Sequence, residues 1–286
     1  MRPVLQENKP NKKLWILYLL IFLICVAGIG VALYYTGFQD ENLGSVIGIQ
    51  DDESEKEDEY NELKQEFGTI FTNQIDIFQQ MNNNIKKIND NYDLVATPFH
   101  YEKNEENLNI NVYIPYINID NESAKRFNQK ITDEYKIKAE SLVNQVSDIK
   151  VVYSVEYRAY LQNNILSLAI RSEFKEGDKY QKIIVDTFNY NIVENREVTI
   201  DEVLAIKSIN SDDATNKIRN EIKKIQDQNQ PLIENGYSFH QRDYTLDIYN
   251  ISNVKQFLYG KNGMLYIIYA YGNDEDTSEM DVVIFE

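Results

Sequence analysis

The sequence predicts an α+β domain in which helices pack on one face of an antiparallel sheet, preceded by a single transmembrane helix and a helical stalk. Three observations lead to this prediction. An uncharged apolar run occupies residues 14–35, and helically spaced apolar residues follow over residues 60–90. Hairpins with alternating apolar residues then fill residues 92–286 and are interrupted by two helical blocks. Helical blocks that interrupt hairpins are typical of α+β proteins, because each helix buries its apolar side on a sheet face.

The composition of the 286 residues narrows the class of function. The chain has 29 basic and 46 acidic residues, a formal net charge of −17, which argues against nucleic-acid binding because that needs a basic face. One Cys excludes a disulfide framework, and two His with that Cys exclude the usual zinc ligand sets. The sequence also lacks phosphate-binding glycine loops and the H-E-x-x-H motif, so we predict no catalytic residue and no cofactor.

The segment from Leu14 to Tyr35 predicts a membrane-spanning helix. Its 22 residues carry no charge, and at ~1.5 Å per residue such a helix crosses the ~30 Å hydrocarbon core. Basic residues precede the run and acidic residues follow it, so the positive-inside rule places residues 1–13 in the cytoplasm and everything after Tyr35 outside the cell. A cleaved signal peptide fits less well, since its apolar region usually has only ~7–15 residues.

Two segments connect the predicted membrane helix to the domain. Residues 36–59 contain glycines and end in an acidic run, which predicts a solvated linker. Over residues 60–90, apolar residues recur at three-and-four spacing, which predicts an amphipathic helix of about eight turns. Its apolar stripe can pack on the following domain or, over residues 60–88, on a second copy in a homodimer. The sequence favours a stalk that packs partly on its own domain.

The domain itself is predicted from a change of period. Alternating apolar residues predict strands, and three-and-four spacing behind a capping residue predicts helices. In chain order the elements are a hairpin with its turn at residues 103–107, a helix of about 25 residues capped by Asn121, a three-stranded meander over residues 151–190, helices beginning at Thr199 and Ser211, the second ending before Pro231, and three strands between residues 254 and 285.

A cluster of carboxylates before the final predicted strand is a candidate metal site. The cluster contains Asp274, Asp276 and Glu279 in a loop between two strands. Carboxylate oxygens are the ligands that calcium prefers, but the residue order of an EF-hand is absent. An acidic loop that is simply solvated is the alternative interpretation.

Tyrosines that recur on neighbouring predicted strands are candidates for partner binding. Tyr157, Tyr269 and Tyr271 belong to this set. Tyrosine supplies large amphipathic contacts to protein partners and stacks on sugars. The alternative is that these side chains fill a wide core between sheet and helices, with their hydroxyls reaching its rim.

Four segments together resemble a known family. They are Tyr113-Ile-Pro-Tyr-Ile-Asn118, Ala124-x-x-Phe-Asn-x-x-Ile131, residues 153–168 and Asn195-Arg-Glu-Val-Thr-Ile-Asp-Glu-Val-Leu204. Over about residues 92–286 the chain resembles the bacterial extracytoplasmic domain called DUF3298, with its N-terminal DUF4163 part. Members of that family include the outer domain of lysozyme-sensing membrane anti-sigma factors and the region before the catalytic domain of a peptidoglycan deacetylase.

The resemblance implies a binding or sensing module anchored at a bacterial cell surface. The 13 residues before the predicted span are about 20 Å long even as a helix, too short to wrap a sigma factor, and no deacetylase domain is expected after residue 286. We therefore predict a non-enzymatic module, with a cell-wall polysaccharide-modifying enzyme that uses a carboxylate pair as the alternative. The 25 basic and 45 acidic residues after the span, a net charge of −20, favour a basic protein ligand such as lysozyme over an anionic wall polymer.

Overall fold

The computed structural model of the protein describes residues 50–79, 85–144, 148–272 and 279–286. The predicted tail, the predicted membrane helix and most of the linker lie outside these ranges. Within them, no helix has the length and apolar character that a membrane span requires. The chain divides into two compact units, residues 1–59 and 60–286, and the sheets belong to the second unit.

The helices and strands follow each other in an order close to the predicted one. They are α1 (Gln50–Phe67), β1 (Gln74–Ile77), β2 (Val95–Asn104), β3 (Leu108–Ile117), α2 (Glu122–Ile131), a π-helical turn (Thr132–Lys136), α3 (Ile137–Val143), β4 (Val151–Gln162), β5 (Ile165–Glu176), β6 (Lys182–Asn191), β7 (Arg196–Glu197), α4 (Ile200–Ile206), α5 (Ser211–Glu234), β8 (Phe257–Tyr259), β9 (Leu265–Ala270) and β10 (Met280–Phe285). Single 3₁₀ turns lie at Asp247–Tyr249, Ile251–Asn253 and Lys261–Gly263.

The long strand β4 organises the first sheet, whose order is β2-β3-β4-β5-β6-β7. One edge of β4 pairs with β5 in antiparallel register over all of its 12 residues. The other edge is shared, because β3 pairs with residues 151–155 and β1 pairs with residues 158–161, both parallel to β4. The strand β1 therefore continues the line of β3, and the sheet is mixed rather than purely antiparallel.

Three apolar clusters arrange the second unit in four layers. The outer face of the first sheet is covered by α2 and α3, with Tyr135 of the π-helical turn fully buried there. The second sheet, ordered β10-β9-β8, packs Tyr266 and Ile268 against the inner face of the first sheet. Its other face packs Ile267 against α4 and α5, where Ile222 is buried. The order of layers is therefore helix, sheet, sheet, helix.

The α+β class with predominantly antiparallel pairing is confirmed, but the arrangement with helices on one face of one sheet needs correction. The chain forms two sheets, and each carries helices on its outer face. The physical reason lies in strands such as β9, whose consecutive residues from Leu265 to Ile268 are all buried. A strand that is apolar on both sides needs a partner layer on each side.

The stalk predicted as one helix over residues 60–90 is wrong. The helix α1 ends at Phe67, and residues 74–77 form the strand β1 instead. The apolar residues repeat with helical spacing although they belong to different layers. Phe67 and Phe71 lie between the sheets, and Ile75 packs on the outer core. Phe67, Phe71 and Ile75 pack on their own domain, whereas Ile77, Phe78 and Ile88 are exposed. A homodimer through residues 60–88 stays a prediction.

Two helices of the domain show how the predicted caps work. The side chain of Asn121 accepts from the N–H of Ser123 at 2.7 Å, which confirms the predicted start of α2. The cap of α5 is Asn210 rather than Ser211, since its side chain accepts from the N–H of Asp212 at 2.8 Å. The same helix continues through Pro231 to Glu234, so the predicted end was too early.

Candidate functional site

Arg242 lies at the centre of a buried polar network between the segment that follows α5 and the strand β10. Its side chain is 2% exposed, and it donates from Nε to Asp281 Oδ2 at 2.5 Å and from Nη2 to Oδ1 at 2.9 Å. Nη2 also donates to Glu279 Oε2 at 2.5 Å, and Nη1 donates to the carbonyl of His240 at 2.9 Å. Two carboxylates thus hold one guanidinium by charge-assisted hydrogen bonds, which are stronger than neutral ones.

Three aromatic side chains complete this network. The His240 ring stacks on the ring of Tyr271, with centroids 4.0 Å apart. The hydroxyl of Tyr271 donates to Asp281 Oδ2 at 2.9 Å and shares a 2.8 Å hydrogen bond with the hydroxyl of Tyr249. The backbone N–H of His240 donates to Glu279 Oε1 at 2.7 Å. The segment after α5 is therefore attached to the second sheet by ring stacking as well as by ion pairs.

Burial and charge shift the ionisation of two groups in the network. Burial raises the pKa of Tyr271, and the adjacent Asp281 carboxylate raises it further. Burial lowers the pKa of His240, and the neighbouring Arg242 cation lowers it further. At neutral pH Tyr271 is therefore a hydrogen-bond donor, and His240 is an uncharged stacking ring.

The predicted acidic loop is described only at its end. Asp274 and Asp276 lie outside the described residues. Glu279 accepts from His240 with one oxygen and from Arg242 with the other, so protein donors occupy both. In the described ranges, no group of three or more His, Cys, Asp or Glu side chains is placed to hold a metal ion. Calcium binding by this loop stays a prediction.

The tyrosines predicted to bind a partner have most of their surface inside the protein. Tyr157 is 3% exposed on β4, and its hydroxyl shares a 2.7 Å hydrogen bond with that of Thr97. Tyr271 is buried in the Arg242 network, which lies on the second sheet rather than the first. Tyr269 is half-buried, and its hydroxyl has no hydrogen-bond partner among the described atoms. All three side chains are therefore largely packed within the described structure, and partner binding through them stays a prediction.

A different set of side chains is exposed next to the Arg242 network. Residues 235–246, which follow α5, contain neither helix nor strand, and Arg242 lies within this segment. Exposed apolar side chains occur before, within and after it, and Tyr237 is the most open, at 64% exposed. We call this set the loop surface, and it consists of Leu232, Tyr237, Tyr244, Leu246 and Ile248.

The loop surface has acidic neighbours. Glu234, Asp243 and Asp247 are exposed, whereas the one basic residue between positions 232 and 248, Arg242, is buried. In the sequence, residues 273–278, which connect Tyr271 to Glu279, contain three further acids and lie outside the described residues. The segment thus combines exposed aromatic and aliphatic side chains with negative charge.

Sequence reasoning missed both the network and the loop surface. The available signal was a run of twelve residues, 235–246, that contains two tyrosines, a phenylalanine and a histidine but follows neither the period of a helix nor that of a strand. Loops of this length without secondary structure are uncommon in compact domains and are often functional. The pairing of Arg242 with Asp281 had no sequence signal, because the two residues lie on separate segments.

Comparisons with known proteins find similarity only among solved structures. No protein-family model matches the chain, and no curated protein matches it. A crystal structure of a DUF3298 family member from Bacteroides fragilis has 12% sequence identity and a TM-score of 0.29, covering 62% of this chain and 80% of that chain. For a DUF3298 protein from Pseudomonas aeruginosa the identity is 12% and the TM-score 0.34, with 63% and 82% covered. Both of these solved structures are described as DUF3298 family proteins.

Proposed function

We propose that the protein is a non-enzymatic binding module that recognises a basic protein through the loop surface. The observation that carries this proposal is the exposure of Tyr237, Tyr244 and Leu246 beside acidic residues, on a segment that Arg242 ties to the sheet. Tyrosine and aliphatic side chains that are exposed together are typical of protein-binding surfaces.

The Arg242 network supports binding because it orders the loop before a partner arrives. Ordering a flexible loop on association costs free energy, and a loop that is already held avoids that cost. Residues 235–246 are held near both ends as well as at Arg242, since the N–H of Tyr237 donates to the carbonyl of Leu232 at 3.1 Å and the N–H of Tyr249 donates to that of Leu246 at 3.1 Å. The aromatic side chains are therefore presented by a preorganised backbone.

The signs of the charges favour a basic ligand. Asp243 and Asp247 flank Tyr244 and are exposed. Lysine and arginine side chains of a partner can pair with these carboxylates and stack over the tyrosine rings. Lysozyme, which the family resemblance suggests, is a basic protein of this kind. The predicted span at residues 14–35 would hold the module at the outer surface of the membrane, where such proteins are encountered.

The carboxylate pair of the network supports binding rather than polysaccharide cleavage. A glycoside-cleaving pair needs one carboxylic acid that gives a proton and one carboxylate that faces the substrate. Here Glu279 and Asp281 share the Arg242 guanidinium, and Asp281 also accepts from Tyr271. This arrangement uses both carboxylates to hold the loop.

Calorimetric titration of the full chain with lysozyme tests the proposal. We expect binding that weakens between about 0.05 and 0.5 M salt, because attraction between exposed charges is screened over that range. The double variant Tyr237→Ala/Tyr244→Ala should bind at least about tenfold more weakly. The matched control is Tyr180→Ala, since Tyr180 is 61% exposed but lies in the turn between β5 and β6.

Two results would count against the proposal. Absence of heat and of retention on immobilised lysozyme at low salt would remove lysozyme as the ligand. If binding occurs but the double variant and Tyr180→Ala behave alike, the loop surface is not the binding site.

A further inference from the structure

A cleft of about 420 Å³ lies between α2 and the strands β6 and β8. Its walls carry three cationic side chains, Arg126 and Lys130 from α2 and Lys255 from the segment before β8. One carboxylate, Glu197, lies among the lining residues. In a chain with a net charge of −17, this local excess of positive charge is unusual.

The three cations differ in how far the protein already neutralises them. Lys130 pairs with the buried carboxylate of Asp186. Arg126 is 69% exposed, and its nearest carboxylate, Glu197, is 3.7 Å away. Lys255 is exposed and makes no ion pair with any described residue. Arg126 and Lys255 therefore retain donors for a ligand.

The floor of the cleft is aromatic. Phe127 and Phe188 have ring centroids 4.9 Å apart, and Phe257 also lines the cleft. The polar groups beside them are engaged, since Asn189 donates to the carbonyl of Phe257 at 3.0 Å and Thr187 donates to Gln256 at 2.8 Å. Recognition at the floor would thus come from contacts with these rings. Arg126 and Lys255, which form the rim of the cleft, would supply the charge.

We propose that this cleft binds a small molecule in which a phosphate or carboxylate group is joined to a flat apolar body. The anionic group would lie between Arg126 and Lys255, because a guanidinium recognises phosphate and carboxylate by paired hydrogen bonds. The apolar body would pack on Phe127, Phe188 and Phe257. A cleft of this size, with an aromatic floor and cationic groups in its walls, falls within the size range of small-molecule sites.

The overall negative charge does not oppose such binding at contact. Charges separated by more than ~8 Å are largely screened at physiological ionic strength. An anion inside the cleft is within reach of Arg126 and Lys255, whereas Glu197 is the one carboxylate among the described residues that line it. The long-range field slows the approach of an anion, and the local cations hold it once it arrives.

Saturation-transfer NMR with the full chain tests this site, with phenyl phosphate and benzoate as the anionic aromatic probes. Inorganic phosphate supplies the charge without the ring, and benzyl alcohol supplies the ring without the charge. We expect at least one anionic aromatic probe to bind about tenfold more tightly than either control, because both the rim and the floor are needed.

Variants at the rim locate the binding. We expect Lys255→Gln and Arg126→Gln each to weaken binding about three- to tenfold, and the double variant to weaken it further. Lys261→Gln is the matched control, since Lys261 is exposed and does not line the cleft. Thermal melting of each variant checks that the fold is intact, and Tyr237→Ala/Tyr244→Ala should leave probe binding unchanged because neither tyrosine lines the cleft.

Three results would overturn the proposal. The first is that neither aromatic anion binds. The second is that inorganic phosphate binds as tightly as phenyl phosphate, which would show that charge alone attracts the probe. The third is that a correctly folded Lys255→Gln/Arg126→Gln double variant binds both aromatic probes as tightly as Lys261→Gln does.

Discussion

Arg242 fixes a long loop through a single buried side chain. Its guanidinium donates to two carboxylates. One of them, that of Asp281, is buried like Arg242 itself, with only 5% of its side chain exposed. A buried pair of this kind contributes little net stability compared with apolar residues, but removal of one partner leaves a charge without compensation. The effect of a substitution therefore depends on the charge that remains behind, more than on the contact that is lost.

Replacement of Arg242 by Met should destabilise the protein by ~3–5 kcal/mol, because Asp281 would stay buried without its cation. Urea unfolding of the full chain measures this change. Arg196→Met is the matched control, since Arg196 pairs with Glu194 and Glu202 at an exposed position where such pairs contribute little. Equal stability of the two variants would contradict the role assigned to Arg242.

His240 should titrate below the ordinary range for histidine, because burial and Arg242 disfavour its charged form. The folded state then binds this proton less readily than the unfolded state. The contribution of His240 to stability is present above pH ~6.5, the pKa of an unfolded histidine, and is lost as the pH falls from there toward the lower pKa of the folded state. Imidazole NMR signals measured against pH test this, with the His240 signal identified by its loss in His240→Gln. A midpoint at or above ~6.5 would contradict it.

At the scale of secondary-structure elements, Gly272 allows the end of β9 to approach β6. A Cβ atom at this position would lie 2.2 Å from the carbonyl oxygen of Ile183. Because that neighbour is backbone, it cannot rotate away as a side chain would. The two sheets therefore come together here at a distance that only glycine permits.

Substitution of Gly272 by Ala should separate the sheets locally and destabilise the protein by ~1–3 kcal/mol, the usual cost of overpacking. Thermal or urea unfolding gives the value. Gly68→Ala is the control, because a Cβ at Gly68 would meet only the carbonyl oxygen of Gln65 at 3.3 Å. If both variants have the same free energy of unfolding, the close approach at Gly272 does not limit the size of the side chain at this position.

The sequence predicts elements well where one period persists and poorly where one segment serves two layers. The meander from β4 to β6 was predictable, since alternation holds over about 40 residues between recognisable turns. The strand β1 was not, because Phe67, Phe71 and Ile75 repeat with helical spacing although they belong to different layers. The division into two sheets was equally hidden, since hairpins in one sheet and in two have the same local pattern.

At the scale of the whole molecule, the functional side chains were the hardest to predict. Tyr157 and Tyr237 are the same residue type, yet one is 3% and the other 64% exposed. Their difference is set by the layers that cover β4 and by the absence of any covering element over the described part of the loop after α5. Composition identified many tyrosines, but only the tertiary arrangement separates those that pack inside from those that are exposed to solvent.

The predicted topology places the linker at residues 36–59 outside the cell. A Glu-specific protease added to intact, wall-stripped cells should cut at Glu41 and release the domain, whereas the other glutamates of the linker, from Glu53 onward, lie in α1. Permeabilised cells are the control for total cleavage. Cleavage that occurs only after permeabilisation would place the domain on the cytoplasmic side and reverse the prediction.

The apolar cluster between the sheets can be completed only at the end of biosynthesis. It joins Phe67 and Phe71 to Val282 and Ile284, about 210 residues later, and the Tyr60 hydroxyl accepts from the N–H of Ile284 at 3.0 Å. Because synthesis begins at the N-terminus, the two phenylalanine rings lack part of the layer that covers them until β10 has been synthesised. A chain interrupted before Met280 leaves them in reach of chaperones and proteases, so the topology itself distinguishes a finished chain from an interrupted one.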